Sequence, residues 1–468
     1  MNPLLPLPGA DAVRVLAAVR STGGRPMLVG GWVRDMILHA SGKDSGRSVC
    51  ELADPKDVDI EVYGTPDADA LAAALAGVGK VTEAGKSFGV LKVRAGETEF
   101  DVSLPRRESK TGAGHRGFTV IPDSALGFAE ASARRDFTLN AIMADPATGQ
   151  LIDCHGGLAD LEAGILRHTS EAFAEDPLRV LRGVQFAARF GFTMAPETAS
   201  LCRSLLGSYG ELSVERVWGE WEKIGARGTH ISGALAVLRD TWWDTRYPEL
   251  AYMHGVEQDP EWHPEGGVWT HAGLAADQAA RLADEAGLTG TDRLVIVFTA
   301  LLHDLGKVTH TQYGDRITSH GHAEAGVEPA RQFLAFIGCP EGIIARILPL
   351  IREHMNCFGK PAKPAVRRLV RRLAPATLTE LALVCAADRK GRGDPGALSS
   401  ADEWLEMGRD LKVQERPAKG LLTGDHLIAA GMTPGPAFRP LLEAAVAAQD
   451  AGEFDDEAGA LRWLAAAS

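Results

Sequence analysis

The sequence predicts a multidomain, mostly helical α+β protein whose amino-terminal part carries a mixed sheet. Three observations support that expectation. The 468 residues exceed what a single hydrophobic core commonly organises. Short alternating, β-branched runs are interleaved with helical patterns up to about residue 150. From Leu158 onward the apolar periodicity is helical almost throughout.

In chain order, residues 11–20 read as a helix and Pro26–Val29 as a short strand entering a Gly30-Gly31 turn, with a helix over Val33–Ala40. Ser41–Ala53 is polar and glycine-containing and reads as a loop. Val58–Tyr63, Val90–Val93 and Glu99–Leu104 have strand character, with a helix over 65–77 between the first two. Helices follow at 158–165, 176–190, 213–224 and 231–239. Glycine and proline around His254–Gly267 mark a boundary, and His271 to about Ser400 reads as an all-helical bundle, including apolar helices at Leu294–Leu302 and Ile343–Ile351. A tail contains a helix near 438–449. No internal repeat is visible. The expected domains are a head over 1–157, a helical neck over 158–240, a helical bundle over 241–400 and a tail over 401–468.

With 45% hydrophobic and 24% charged residues, the composition is that of an ordinary globular protein. The amino terminus shows no basic region followed by an apolar core, so no secretory signal is expected. The apolar run Leu294–Leu302 is too short to span a bilayer. Six cysteines lie far apart without a CxxC pair, which suits reduced thiols in a cytoplasmic protein. The net charge of −13 argues at first sight against nucleic acid. The basic residues are nevertheless clustered, at Arg106, Arg107 and Lys110, at Arg134 and Arg135, at Arg179, Arg182 and Arg189, and from Lys360 to Arg372.

Gly30-Gly31-Trp32-Val33-Arg34-Asp35 places two glycines before an arginine one helical turn on. Asp57-Val58-Asp59 then puts two carboxylates on one face of an apolar strand. A backbone that a triphosphate can approach, a guanidinium for its charge and paired acids for magnesium are the parts of a nucleotidyl transferase. Asp101, between Phe100 and Val102, is either a third acid or a surface acid of an edge strand. In Arg134-Arg135-Asp136-Phe137-Thr138-Leu139-Asn140 the alternatives are a helix with a charged first turn, or Arg135 on the triphosphate with Asp136 and Asn140 bracing the head.

Asp176-Pro177 is a helix-start signal, with Asp176 as N-cap and Pro177 in the first turn. Arg179 and Arg182 follow three and six residues on, sharing a face with Asp176 on such a helix. A carboxylate beside a guanidinium accepts from an exocyclic amino group and donates to the adjacent ring nitrogen. Cytosine and adenine share that order and guanine and uracil reverse it, so one protein pair can select C and A.

The segments GGWVRD, KDVDIEV, RRDFTLNA, EDPLRVLR and ERVWGEWEKI, in order over about residues 27–225, resemble the motifs of class II tRNA nucleotidyltransferases (CCA-adding enzymes) and the related bacterial poly(A) polymerases. The resemblance implies a polymerase-β-like head in which Asp57 and Asp59 carry magnesium. It implies that Gly31, Arg34 and Arg135 hold the nucleotide, that Asp176 and Arg179 read the base, and that Arg182 contacts the phosphates. Arg106–Phe118 matches the family's flexible loop for the switch from CTP to ATP. The chain departs from the pattern at Gln185, where many members have a further nucleotide-contacting arginine, and in the longer gap that Ser41–Ala53 creates.

In the second half, His271 precedes Leu301-Leu302-His303-Asp304-Leu305-Gly306-Lys307, and Asp388 follows. A His-Asp pair on an apolar helix needs a partner for its charge, and such groups from several helices bind divalent metal. His320, His322 and His354 are further candidate ligands. This order resembles the HD phosphohydrolase superfamily, and Trp262-His263-Pro264-Glu265 resembles the HD-bearing CCA-adding enzymes in particular. The resemblance implies His271, His303, Asp304 and Asp388 as ligands of an ion such as Ni²⁺, Co²⁺ or Mn²⁺. It implies phosphatase or phosphodiesterase activity, with 2′,3′-cyclic phosphates among the substrates. Gly431–Pro436 resembles a carboxy-terminal tRNA-touching motif of these enzymes, or is a helix-capping turn.

The expectation is therefore a cytoplasmic enzyme, monomer or homodimer, that adds CCA to tRNA 3′ ends from CTP and ATP and carries a second, hydrolytic site. The enzymatic alternatives are CC-only or A-only addition or poly(A) synthesis. An alternative of another class is an RNA-binding protein with an inactive transferase head and an active HD site.

Overall fold

The computed structural model describes residues 7–43, 49–53, 55–64, 67–83, 90–110, 118–123, 125–357, 359–393 and 401–467. They form two compact units, Met1–Arg246 and Tyr247–Ser468.

The first unit is built on a seven-stranded mixed sheet. Its strands are β1 (Arg25–Val29), β2 (Asp57–Tyr63), β3 (Lys80–Glu83), β4 (Val90–Ala95) and β5 (Thr98–Ser103). After a separate hairpin of β6 (Arg106–Lys110) and β7 (Phe118–Pro122) come β8 (Met143–Ala144) and β9 (Leu151–Ile152). The order across the sheet is β3-β4-β5-β2-β1-β8-β9. Only β2 and β5 run parallel within it, while β1 pairs antiparallel with β2. Burial along β2 alternates at its start, so Val58 and Ile60 enter the core while Asp57 and Asp59 stay at the surface.

Two expectations in this unit need correction. Arg106–Phe118 is not all loop, because its ends pair as the β6–β7 hairpin; residues 111–117 lie outside the described residues. Within Ser41–Ala53, Val49–Ala53 is helical, and residues 44–48 likewise lie outside the described residues.

After the sheet come helices Gly157–Ala163, Leu178–Phe190, Pro196–Ser204, Val214–Arg227 and Ile231–Asp240. Leu178–Phe190 packs against the last two of these through a buried face that includes Val180, Leu181, Val184 and Ala188.

The second unit is a helical bundle. Val268–Glu285 lies between Gly290–Leu302 and Leu378–Gly391, and its buried alanines Ala272, Ala275, Ala276, Ala279, Ala280 and Ala283 permit close packing. Gly290–Leu302 is buried along most of its length, as its apolar run predicts. The bundle is not all helical: Gln312–Tyr313 pairs with Ile317–Thr318 as a small hairpin, because Gly314-Asp315 supplies a turn between strand formers. The tail adds helices Ala401–Asp410, Gly424–Ala429, Phe438–Ala451 and Glu457–Ala467, the last three around Leu427, Ala445, Phe454 and Leu464. Among the described residues no helix is long and apolar enough to cross a membrane.

Candidate active sites

In the first unit, β1 ends at Gly30, whose φ of +76° only glycine adopts without strain. The β1–β2 register sets Val29 opposite Asp59, so a Cβ at Gly30 would fall 2.5 Å from Asp59 Oδ2. Across the parallel ladder Asp59 faces Asp101 and Asp57 faces Glu99. Three acids thus come together on two neighbouring central strands beside the glycine turn. Lys92 on β4 reaches Asp101 at 2.9 Å and Glu99 at 2.6 Å, so Asp101 is a partnered member of this group.

Solvent reaches Asp59, but protein surrounds much of it. That desolvation, opposed by Arg135 and reinforced by the charges of Asp101 and Asp57, holds its carboxyl above the usual carboxylate range. Arg135 Nη1 makes one long bond, 3.4 Å to the Asn140 carbonyl, and its buried Nε has no hydrogen-bond partner among the described residues. A guanidinium left so incompletely satisfied beside the acids suits a phosphate.

Arg34 lies in the interior of the unit. It is 4% exposed, donates to Asp35 at 2.8 Å and Asn140 at 2.7 Å, and lies over the rings of Phe190 and Phe186. Its guanidinium is held by these interior partners. Gly31 abuts it, with a Cβ position 3.4 Å from Arg34 Nη2. Asp136 and Asn140 do brace each other at 2.9 Å, in a 3₁₀ turn at Thr138–Asn140 rather than a helix. Burial alone would raise the Asp136 carboxyl, but Arg182, Asn140 and the Phe137 N–H outweigh it and bring it down to about 2.

The base-reading pair is not joined. Asp176 sits in extended backbone ahead of Leu178–Phe190, where its Oδ1 accepts from the Leu178 N–H, so it caps the helix without sharing its face. Its Oδ2 pairs with Arg216 at 2.7 Å. Arg179 donates to the carbonyls of Ala172 and Arg134, and Arg182 pairs with Asp136 at 2.6 Å. Gln185 is buried at 5% exposure. Sequence reasoning missed Arg216, although ERVWGEWEKI, which contains it, was the available signal.

In the second unit His271 and Asp388 converge from two helices, and His303 and Asp304 from the turn after Gly290–Leu302. His271 Nε2 lies 3.1 Å from Asp388 Oδ1, 3.4 Å from His303 Nε2 and 3.6 Å from Asp304 Oδ2. Gly306 is required here, since a Cβ would collide with the carbonyl of His322. That approach brings His322 Nε2 to 3.2 Å from Asp304 Oδ1 and 3.2 Å from His354 Nε2. His320 is exposed on the adjoining cavity wall and stands apart from these clusters.

All four buried histidines turn Nδ1 to an acceptor: His271 to Glu265 at 2.6 Å, His303 to the Ala300 carbonyl, His322 to that of Ser319 and His354 to that of Ile351. His303, His322 and His354 face carbonyls, which only accept, so their Nδ1 carries the proton and their Nε2 lone pairs face the cluster. Asp304 Oδ2 is buried without an aligned hydrogen bond, its nearest cation being Lys307 at 2.7 Å. Imidazole lone pairs beside two buried carboxylates are a donor set for cations. Burial, with the neighbouring His303, lowers His354 to about 3, keeping it neutral as a ligand must be.

Two family models match the chain, the Poly A polymerase head domain over residues 27–167 and the HD domain over residues 268–392. A Multifunctional CCA protein of Xanthomonas campestris pv. campestris is 35% identical over 439 residues, covering 89% of this chain and 96% of its own length. Another, of Stenotrophomonas maltophilia, is 36% identical over 413 residues, covering 85% and 92%. The chain belongs to the multifunctional CCA protein family. The solved CCA-adding enzymes share its fold. The Bacillus stearothermophilus enzyme in complex with CTP aligns over 98% of this chain and 96% of its own, at 20% identity and a TM-score of 0.65. The Thermotoga maritima enzyme complexed with tRNA aligns over 97% and 94%, at 18% identity and 0.54. The chain carries the head and HD domains in that order.

Proposed function

We propose that the first site adds C, C and A to tRNA 3′ ends from CTP and ATP, and that the second hydrolyses phosphate esters. Support comes from one observation above all: Asp57, Asp59 and Asp101 meet beside a glycine turn in a chain of this family. Asp57 and Asp59, with Asp101 beside them, would hold divalent ions, in our reading magnesium. Such ions supply charge neutralisation for the phosphates and acidify the attacking 3′-hydroxyl. Gly30 leaves the acids open to the nucleotide, and Arg135 offers its guanidinium to the triphosphate as pyrophosphate leaves. Asp176 and Arg216 present a carboxylate and a guanidinium to the amino edge shared by cytosine and adenine.

In the second site His271, His303, Asp304 and Asp388 would hold one ion. Asp304 Oδ1 with His322 and His354 would hold another, for which Ni²⁺, Co²⁺ or Mn²⁺ fit imidazole donors. Bound there, such an ion supplies a water acidic enough to attack phosphorus near neutral pH. Lys307 keeps its ammonium against Asp304, where it also faces an entering phosphate. We place the reaction in the cytoplasm, in keeping with six widely spaced cysteines without a CxxC pair.

The deciding experiment incubates tRNA lacking CCA with magnesium and CTP, ATP or both, followed by 3′-end sequencing. Complete CCA ends support the reading. CC-only, A-only or poly(A) products replace it with the narrower activity, and tRNA binding without incorporation refutes it.

A further inference from the structure

The HD cluster opens into a cavity of about 760 Å³. That falls in the range of small-molecule sites, about 300–1,000 Å³, and exceeds what a phosphate group fills. Among the described large hydrophobic side chains that are exposed, Trp262 and Met355 line this cavity, Trp262 at 52% exposure. Exposed tryptophans are individually unremarkable; what distinguishes this one is how it is held.

Trp262 sits in a turn closed by N–H bonds from Trp262 and His263 to the Asp259 carbonyl. Arg316, from the small hairpin, clamps that turn by pairing with Asp259 at 3.0 Å and Glu261 at 2.7 Å. The next residue, His263, bonds Glu265, whose same oxygen holds His271. The turn that carries Trp262 is thus tied to the metal-ligand framework on one side and to the hairpin on the other. Guanidiniums of Arg352, Arg372 and Arg392 also line the cavity, each held by a carboxylate: Glu324, Glu353 and Asp388 respectively.

An exposed aromatic side chain on an anchored turn, basic groups and metal donors lining one cavity match a phosphate ester that carries a flat, hydrophobic ring. We infer that Trp262 is a stacking platform for the nucleobase of a nucleoside monophosphate or RNA 3′ end whose phosphate enters the HD site. This inference rests on the hydrolytic reading of that site. Stacking tolerates any base, because every base has a π-face, so the platform sets a preference for nucleosides over other alcohols and none for sequence.

The test compares wild type, Trp262→Ala and Trp262→Phe on adenosine 2′,3′-cyclic phosphate and on glycerol 2-phosphate, which has no ring. Calorimetric binding of adenosine 2′-monophosphate accompanies the kinetics. The alanine variant is expected to raise KM for the cyclic nucleotide, and Kd for the monophosphate, about 10-fold with kcat retained. Phenylalanine should recover most of that loss, and kcat/KM for glycerol 2-phosphate should move less than about two-fold, since stacking is the only energy removed. Unchanged nucleotide KM and Kd overturn the inference, as does equal weakening of both substrates, which marks a structural role. If wild type hydrolyses neither compound, the phosphohydrolase reading falls, while the calorimetry still decides whether Trp262 binds the base.

Discussion

A Cβ added to Gly30 would stand 2.5 Å from Oδ2 of Asp59, so the acid occupies the space a side chain at that turn would need. Gly30→Ala is therefore expected to do two things. It strains a left-handed backbone by about 1–2 kcal/mol, and it pushes Asp59 from its place. A displacement near 1 Å costs on the order of 10²-fold in rate. Nucleotide incorporation should fall by about that factor, with circular dichroism showing the fold retained.

The two sites should separate by mutation. Asp57→Ala is expected to abolish incorporation of C and A while metal-stimulated phosphatase activity persists. His303→Ala should show the converse. Parallel assays on both variants check this, and joint loss of both activities with the fold intact would end the two-site picture.

Glu265 governs the HD cluster without being one of its expected ligands. Its Oε1 receives both His263 and His271, and although burial opposes it, those two bonds bring its carboxyl down to about 2. Glu265→Gln frees the His271 ring to rotate and lowers its basicity. Metal affinity, measured by competition with a chelating dye, should weaken about 10–100-fold. Incorporation by the head should be unaffected.

Asp136 gives a pH signature. Its carboxyl is lowered from 3.8 to about 2 in the folded protein, so its contribution is complete well above pH 4 and is lost as pH falls through about 2. Asp136→Asn should cost about 2 kcal/mol at pH 7. The gap between variant and wild type in urea unfolding should narrow steadily below pH 4. A gap independent of pH would show that the Arg182 pair adds nothing through charge.

The strands, the acid pair and the HD adjacency were legible because they rest on local rules. Period-two alternation exposes Asp57 and Asp59 together, and adjacent His303 and Asp304 on an apolar run demand compensation. Burial and partner choice were not legible. Arg34 follows the glycine turn by one helical turn, yet Asp35 and Asn140, the second distant in sequence, take its donors. Asp176 and Arg179 have the spacing of one helix face, but the helix begins at Leu178 and backbone carbonyls take the guanidinium. Those carbonyls, like the ones orienting His303, His322 and His354, carry no signature in side-chain identity. The small hairpin escaped notice because two-residue strands give too short a pattern.

The buried set around Arg34 has an evolutionary corollary. Asp35 receives Arg34 on one oxygen and Arg189 on the other, and all three side chains are removed from solvent. Deleting Asp35 takes the shared carboxylate from two buried guanidiniums, at a cost of about 3–5 kcal/mol. Drift at these positions is thereby blocked one step at a time, and relatives that abandon the arrangement should be found to have exchanged its members together.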